Sequence, residues 1–232
     1  MLMKKCLAIF KKQIKDTLKN KSILIQFILF PLMAVIMNNA VHIEGMPKNY
    51  FVNLFATMYI GMAPMESMST IISEEKENNT LRVLLMANVK TYEYLLGVGF
   101  YVLLLCLIGS GVFGICGGYE GMNLVRFIGI MGIGIITSIL IGAAIGVWSK
   151  NQMTATSITV PIMMIFSFMP MLAGFNDAIG KISRFLYSQQ VSHLLENISK
   201  MTLGRECVVV ITMNILVALV LFIFSYKRCS LA

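Results

Sequence analysis

Hydrophobic residues in this chain fall into six long apolar segments separated by shorter polar stretches. The segments cover residues 22–41, 51–72, 94–117, 124–147, 153–173 and 207–226. Each holds about 20 residues or more, which at about 1.5 Å per residue of α-helix is enough to cross a hydrocarbon core of about 30 Å. The pattern therefore predicts an all-α membrane protein in which residues 1–232 form a single domain with six transmembrane helices.

The first 21 residues form a basic and amphipathic segment ahead of the first span. They hold seven lysines and a single acidic residue. On a helix at about 100° per residue, one side carries the apolar side chains of Leu7, Phe10, Ile14 and Leu18. Such a helix lies on a membrane surface with its apolar side inward and its cations beside anionic headgroups. Residues 1–21 are therefore predicted to form an interfacial helix whose partners are membrane lipids.

Two of the polar stretches between spans also have helical periodicity. In residues 73–93, Leu81, Leu84 and Leu85 follow the i, i+3, i+4 spacing of an amphipathic helix, so a short helix is predicted outside the bilayer. In residues 174–206, apolar residues recur at helical intervals among polar ones. This second stretch is predicted to form short amphipathic helices that dip into the outer leaflet or cap the bundle.

The distribution of basic residues orients these elements. Six crossings put both termini and residues 73–93 on the same side of the membrane, and thirteen of the nineteen lysines and arginines lie on that side. Membrane proteins carry their excess of Lys and Arg in cytoplasmic loops. Both termini and the 73–93 stretch are therefore predicted to be cytoplasmic.

Composition excludes several classes of protein. Hydrophobic residues make up 57% of the chain and charged residues only 13%, which is too apolar for a soluble domain of this size. The net charge of +8 does not indicate nucleic-acid binding, because much of it lies beside the first span, where it faces lipid headgroups. Five scattered cysteines without a Cys-x-x-Cys pair indicate neither a disulfide framework nor a metal site. A phosphate-binding loop ending in Gly-Lys-Ser or Gly-Lys-Thr is absent from the sequence.

Four short motifs lie close together after the second span, namely Glu75-Lys76-Glu77, Thr80-Leu81, Leu84-Leu85 and Glu93-Tyr94-Leu95-Leu96-Gly97. This set resembles the loop after the second membrane helix of ABC-2 type transporter permeases, the membrane subunits of bacterial ABC exporters. Asn79 stands here for the glycine usually found before the Thr, and Asn88 stands for a proline between the two halves. The resemblance extends over nearly the whole chain, and residues 73–97 are its specific part.

The resemblance implies a division of labour between this chain and other subunits. Residues 73–93 are expected to be a coupling helix through which separate cytoplasmic ABC ATPase subunits, which bind ATP and Mg²⁺, drive the membrane domain. The residues carried over to this role are Glu74, Glu75, Glu77, Thr80, Leu81, Leu84 and Leu85. The chain itself is expected to have no catalytic residue, cofactor or metal. It is also expected to pair with itself or with a similar permease.

The resemblance also implies what is moved and where. Residues 174–206 are expected to be a re-entrant element on the external side of the membrane. The cargo is expected to be an amphiphile, such as a drug, a peptide or a lipid. It would be exported across a bacterial plasma membrane, in which the chain is a multi-pass protein.

Glu66 is a candidate for the transport path, because it is the only acidic residue well inside an apolar segment. It lies about six residues, or roughly 9 Å, from the cytoplasmic end of span two. A carboxylate there is costly unless it is paired or hydrated. It either attracts a cationic group of the cargo, or it reaches the interface or pairs with a lysine. Further candidates for a mixed polar and apolar path on spans two and five are Met58, Met62, Thr156, Thr159 and Met163.

Two other functions fit the sequence less well. A secondary transporter driven by an ion gradient would use Glu66 as its proton carrier, but the six spans show no inverted repeat and no paired broken helices. An intramembrane metalloprotease would need Glu74 and His193 at one metal, whereas the predicted topology places them on opposite faces of the membrane.

Overall fold

The computed structural model of the chain describes residues 2–19, 21–41, 47, 49–87, 89–198 and 204–228. Helix accounts for 88% of the structure, and no strand occurs in the described residues. These residues form ten helices: α1 Leu2–Lys19, α2 Lys21–Ala40, α3 Tyr50–Glu77, α4 Thr80–Met86, α5 Thr91–Cys116, α6 Gly121–Trp148, α7 Gln152–Ala173, α8 Asp177–Ser183, α9 Tyr187–Glu196 and α10 Arg205–Arg228. The predicted all-α fold class is confirmed.

Helix α3 lies at the centre of the fold. It packs most extensively against α6 and α7, and it also contacts α2, α5 and α9. From Ala56 to Ser73 nearly every residue of α3 is buried, including the polar residues Glu66, Ser67 and Ser69. Because other helices surround it, α3 accommodates polar groups that a lipid-facing helix would expose at high cost.

Four helices, α5, α6, α7 and α10, are long and apolar enough to cross a membrane, as judged over the described residues. The apolar part of α2, Leu24–Ala40, is shorter, and α3 is not among the four. The sequence predicted six spans, and the length and composition of the helices in the structure support four of them. The difference at α3 has a physical reason: its polar side chains face other helices, which makes its composition less apolar than that of the helices around it.

The close approach of α6 to α3 depends on small residues of α6. Ser138, Gly142 and Gly146 follow one another at four-residue intervals and lie against α3. Ser138 Oγ donates a hydrogen bond to the carbonyl oxygen of Ile60. A Cβ on Gly142 would lie only 3.0 Å from the Cα of Met65 and would also meet its carbonyl oxygen. A row of small residues lets two helices approach this closely, and here it does so within one chain.

Helix α1 packs across the start of α5 with a side that the hydrophobic pattern does not single out. Ile9 and Gln13 face the bundle and are buried. Leu7 and Ile14, from the predicted apolar side, are 54% and 38% exposed. Leu7 and Ile14 are therefore turned away from the protein, whereas Phe10, from the same predicted side, packs against Phe100 and Tyr101 of α5. The side chain of Leu18 lies outside the described residues.

Two short helices, α8 and α9, occupy residues 174–206, of which 199–203 are not described. Helix α9 packs against α3, α6, α7 and α10. Its Tyr187, Val191 and Leu195 side chains are buried. Helix α9 is therefore part of the packed interior of the bundle, whereas α8 is largely exposed.

We expect Gly142→Leu to destabilise the protein, because the new side chain meets the backbone of α3, which a change of rotamer does not relieve. Overpacking of this kind costs about 1–3 kcal/mol, so the melting temperature in detergent should fall by several degrees. Gly129→Leu is the matched control on the same helix, since nothing lies within 4 Å of a Cβ at that position. Equal melting temperatures for the two variants would contradict the packing of α6 on α3.

Candidate functional site

The acidic residues predicted for coupling lie on the last turns of α3 and not on a separate helix. Helix α3 continues to Glu77, five residues beyond the predicted end of span two, and the short helix α4 begins only at Thr80. The backbone turns at Asn79, whose φ of 56° lies in the left-handed region. Asparagine is one of the few residues that tolerate this region, so Asn79 makes the turn at the position where the resemblance leads one to expect glycine. Asn88 lies outside the described residues.

Glu75 is buried and holds α1 against α3. Its Oε1 accepts hydrogen bonds from Lys12 Nζ and from Gln13 Nε2, both at 2.5 Å. Lys12 also pairs with Asp16 at 3.5 Å. A buried carboxylate needs such partners, because its removal from water is costly. The sequence pattern alone does not single out Lys12 or Gln13, since both lie in a segment with seven lysines.

The two residues after this carboxylate join the same turn of α3 to two further helices. Lys76 Nζ donates to the carbonyl oxygens of Val147 at 2.6 Å and of Ser149 at 2.5 Å, at the end of α6. Glu77 Oε2 accepts a hydrogen bond from the backbone N–H of Gln152 at 2.9 Å, at the first residue of α7. Both contacts suit the charge at the helix ends, where carbonyl groups attract cations and N–H groups attract anions. The last turn of α3 is thus bonded to α1, α6 and α7.

Glu74 lines a polar pocket of about 250 Å³ between α1 and the end of α3. Burial is the main cause that raises the pKa of Glu74, and the carboxylates of Glu75, Asp16 and Glu77 add to it, while Lys12 opposes it. The folded state therefore favours the protonated form of Glu74. Protonated Glu74 therefore contributes to the stability of the folded protein at acidic pH, and this contribution is lost as the pH rises through the raised pKa.

Helix α4 is attached to the bundle by one side and leaves the other side exposed. Thr80 Oγ1 donates to a carbonyl oxygen of α3 at 3.1 Å. Leu81 is only 3% exposed, and the half-buried Leu84 packs against the core. On the opposite side, Val83 and Met86 are 64% and 84% exposed. Leu81 and Leu84, two of the leucines predicted for coupling, therefore anchor α4 to its own chain.

The exposed pair Val83 and Met86 is missing from the residues that the sequence resemblance singles out. The signal for it was present in the helical spacing: if Leu81 faces the bundle, residues two and five positions later lie on the other side of the helix. The side chain of Leu85 is outside the described part of the chain.

The candidate path residues lie on two helices that pack against each other, α3 and α7. Ser69 Oγ is 2.8 Å from Thr159 Oγ1, and Ser167 Oγ donates to the carbonyl oxygen of Met58 at 3.2 Å. Met58 lines a cavity of about 630 Å³ at the α9 end of the bundle. Thr156 lines a separate groove of about 760 Å³ near the start of α7. The structure thus brings the two helices together but places Met58 and Thr156 in two different openings, and Thr159 is buried between the helices.

Glu66 lies along α3 between these two openings and lines neither of them. It is 8% exposed, and its Oε1 accepts a hydrogen bond from Thr70 Oγ1 at 3.3 Å. Its Oε2 has no hydrogen-bond partner within the part of the chain that the structure describes. Met62 and Met163 are half-buried on α3 and α7. The carboxylate is therefore enclosed by protein, with one oxygen available to a further donor.

The chain matches a known protein family over most of its length. Residues 7–227 match the family described as ABC-2 family transporter protein, while no curated protein matches the chain. The matched range runs from α1 into α10 and includes the acidic end of α3 as well as α4. Membrane subunits of this family associate with ABC ATPase subunits and are not themselves catalytic. This chain therefore belongs to the ABC-2 family of transporter permeases.

Proposed function

We propose that this chain is the membrane-spanning subunit of an ATP-driven ABC exporter, which moves an amphiphilic drug, peptide or lipid out of a bacterial cell. The observation that carries the proposal is the last turn of α3, whose side chains bond to α1, α6 and α7. Helix α4 follows it after a turn of two residues and exposes an apolar pair. A force on α4 would therefore reach three helices through one turn. Separate cytoplasmic ATPase subunits, which hold ATP and Mg²⁺, supply that force.

Val83 and Met86 are the residues of α4 that fit contact with the ATPase subunit. Exposed apolar side chains outside a membrane are typical of a protein interaction site. Arg82, exposed beside them, adds a positive charge. Glu75 acts in this proposal through α1 and without touching the ATPase, because it is buried. Glu77 is exposed and acts through its hydrogen bond to the first residue of α7.

In this proposal six helices cross the plasma membrane, and both termini lie in the cytoplasm. The apolar stretch of α2 supports its assignment as a transmembrane helix. Helix α3 is assigned as one because it packs between α6 and α7, which are both long enough to cross the membrane. Helix α1 then lies on the cytoplasmic surface with Leu7 and Ile14 toward lipid. Residues 174–206 re-enter the bundle from the external side.

A second permease, identical or similar, is proposed to cover α7. Only a small part of α7 is buried within one chain, although it carries exposed hydroxyl groups on Thr154 and Ser157. Thr156 lines the open groove near the start of α7. Polar groups on a membrane helix are typical of a surface that faces a path or another helix. Cargo would then move between the α7 helices of two permeases.

Cysteine labelling tests the orientation. Asn78 and Asn176 are both exposed and lie on opposite sides of the proposed membrane. With the native cysteines replaced by serine, a cysteine at Asn78 should be protected from an impermeant thiol reagent added to intact cells, whereas one at Asn176 should react. Permeabilised cells provide the control, because both positions should then react. Labelling of the cysteine at Asn78 but not of the one at Asn176 in intact cells would mean that the chain has the opposite orientation in the membrane.

The double variant Val83→Ser with Met86→Ser tests the contact with the ATPase. Removal of an interface side chain costs about 1 kcal/mol or more, so we expect at least about tenfold weaker co-purification of an ATPase encoded beside the permease gene. The melting temperature should not change, since both side chains are exposed. Unchanged co-purification and unchanged stimulation of the ATPase would remove this face of α4 from the mechanism.

Glu75→Ala is the contrasting variant, because it acts inside the permease. It leaves the buried Gln13 and the partly exposed Lys12 without their acceptor, which should lower the free energy of unfolding by about 1–3 kcal/mol. The measurement is thermal melting of the purified chain. A variant with wild-type stability would contradict the role of Glu75 as the residue that holds α1.

Glu66→Gln tests whether this carboxylate contacts cargo. Gln keeps the size and hydrogen bonding but removes the charge, so transport of a cationic cargo should fall while a neutral analogue and the melting temperature are unaffected. Thr70→Val, which removes the hydrogen bond to Glu66 but keeps its charge, should preserve the preference for the cationic cargo. Equal loss for both cargoes with a lowered melting temperature indicates a structural role. Equal loss with unchanged stability indicates a proton carrier driven by an ion gradient.

A further inference from the structure

An apolar groove of about 590 Å³ lies on the outer surface of the bundle between α5, α6 and α10. Its walls include Leu96, Phe100 and Leu103 of α5, with Ile136 of α6 and Phe222 of α10. None of the residues that line this groove lies on α4 or α7. Its volume is in the range of sites that bind small molecules in proteins.

The length and the two ends of the groove indicate what fills it. Along α5 it extends from Tyr92 to Leu103, which is about 17 Å of helix and therefore about half of a hydrocarbon core of about 30 Å. Tyr92 and Tyr226 both lie at the same end of the groove. Tyrosines of membrane proteins are enriched at the level of the lipid headgroups. The groove therefore matches one leaflet, with its tyrosine end at the headgroups.

The tyrosine end of the groove also carries positive charge. Lys90 is exposed, and its Nζ lies 5.8 Å from the centroid of the Tyr92 ring. Lys227 is exposed and directly follows Tyr226 on α10. The nearest acidic residue in sequence, Glu93, is buried, and its Oε2 accepts a hydrogen bond from the backbone N–H of Lys90 at 2.9 Å. Basic residues at the cytoplasmic ends of membrane helices attract the phosphate of anionic lipids.

We propose that this groove binds an anionic phospholipid of the cytoplasmic leaflet. One acyl chain lies along α5, and the phosphate lies between Lys90 and Lys227. The leaflet follows from the orientation in the proposed function, but binding itself does not depend on transport. A second copy of the chain fits this groove less well, because a twofold contact through it would bring the two lysine-bearing ends of both copies together.

Native mass spectrometry of the full chain in detergent tests the proposal, with phosphatidylglycerol and phosphatidylcholine of identical acyl chains as the two probes. We expect tighter binding of phosphatidylglycerol. Lys90→Gln and Lys227→Gln should each weaken it about fivefold, since a lysine near an anionic headgroup contributes about that factor to binding. Binding of phosphatidylcholine should weaken less, because its choline cation offsets the attraction of the phosphate to the lysines. Lys150→Gln, an exposed lysine at the junction of α6 and α7, is the control and should change neither affinity. Equal affinity for the two lipids in the unchanged protein would overturn the proposal.

The acyl-chain part of the site is tested by filling the groove. A Cβ at Gly99 would meet Ile139 at 3.7 Å and Met68 at 3.9 Å, which are ordinary contacts, so Gly99→Leu should occupy the groove without disturbing the backbone. Binding of both lipids should fall, whereas Gly111→Leu on the same helix, with nothing within 4 Å of its Cβ, should bind them normally.

Other results of the same experiments contradict the proposal. Unchanged lipid binding by Gly99→Leu, at wild-type melting temperature, places the lipid elsewhere. A shift from dimer to monomer without loss of lipid makes the groove an interface between copies. If Gly99→Leu is unstable, the two lysine variants decide the matter by themselves. A chain that binds phosphatidylglycerol but exports nothing would contradict the proposed function alone, and the reverse result would contradict only the lipid site.

Discussion

The buried carboxylate of Glu75 is the constraint on which the arrangement of this permease depends. A charge at the end of a central helix must either reach water or find donors, and here the donors come from Lys12 and Gln13 of α1. Through this contact the basic helix α1 becomes part of the bundle. Lys76 and Glu77 are also paired with another helix: Lys76 donates to a carbonyl oxygen at the end of α6, and Glu77 accepts from an N–H group at the start of α7.

The central position of α3 explains why the most polar of the long helices lies inside the protein. Its neighbours α6 and α7 separate it from lipid, so hydroxyl groups such as Ser69 and Thr159 bond to each other across the helix pair. Close packing requires the small residues of α6, of which Gly142 leaves no room for a side chain. A movement of α3 would therefore be transmitted to α6 and α7 by direct contact, since packed helices leave little free space between them.

The two exposed apolar surfaces of the chain differ in what surrounds them. Val83 and Met86 lie on a short helix beyond the end of α3, where apolar side chains of this size fit a protein partner. The groove between α5 and α10 lies along helices that are long enough to cross a membrane, where lipid is the natural neighbour. The same physical property, exposed apolar surface, thus supports the proposed ATPase contact in one place and the proposed phospholipid site in the other.

The sequence by itself determined the class of this protein. Long apolar segments predict membrane helices, and the motifs from Glu75 to Gly97 indicate the family, because both signals are local in the chain. Only the tertiary structure decided which side of α1 faces the bundle and that Glu75 is paired inside the protein. It also showed that Leu81 anchors α4 while Met86 is exposed. Periodicity tells which residues share a side of a helix, but the neighbour that meets that side comes from far away in the sequence, as Lys12 and Glu75 do across 63 residues.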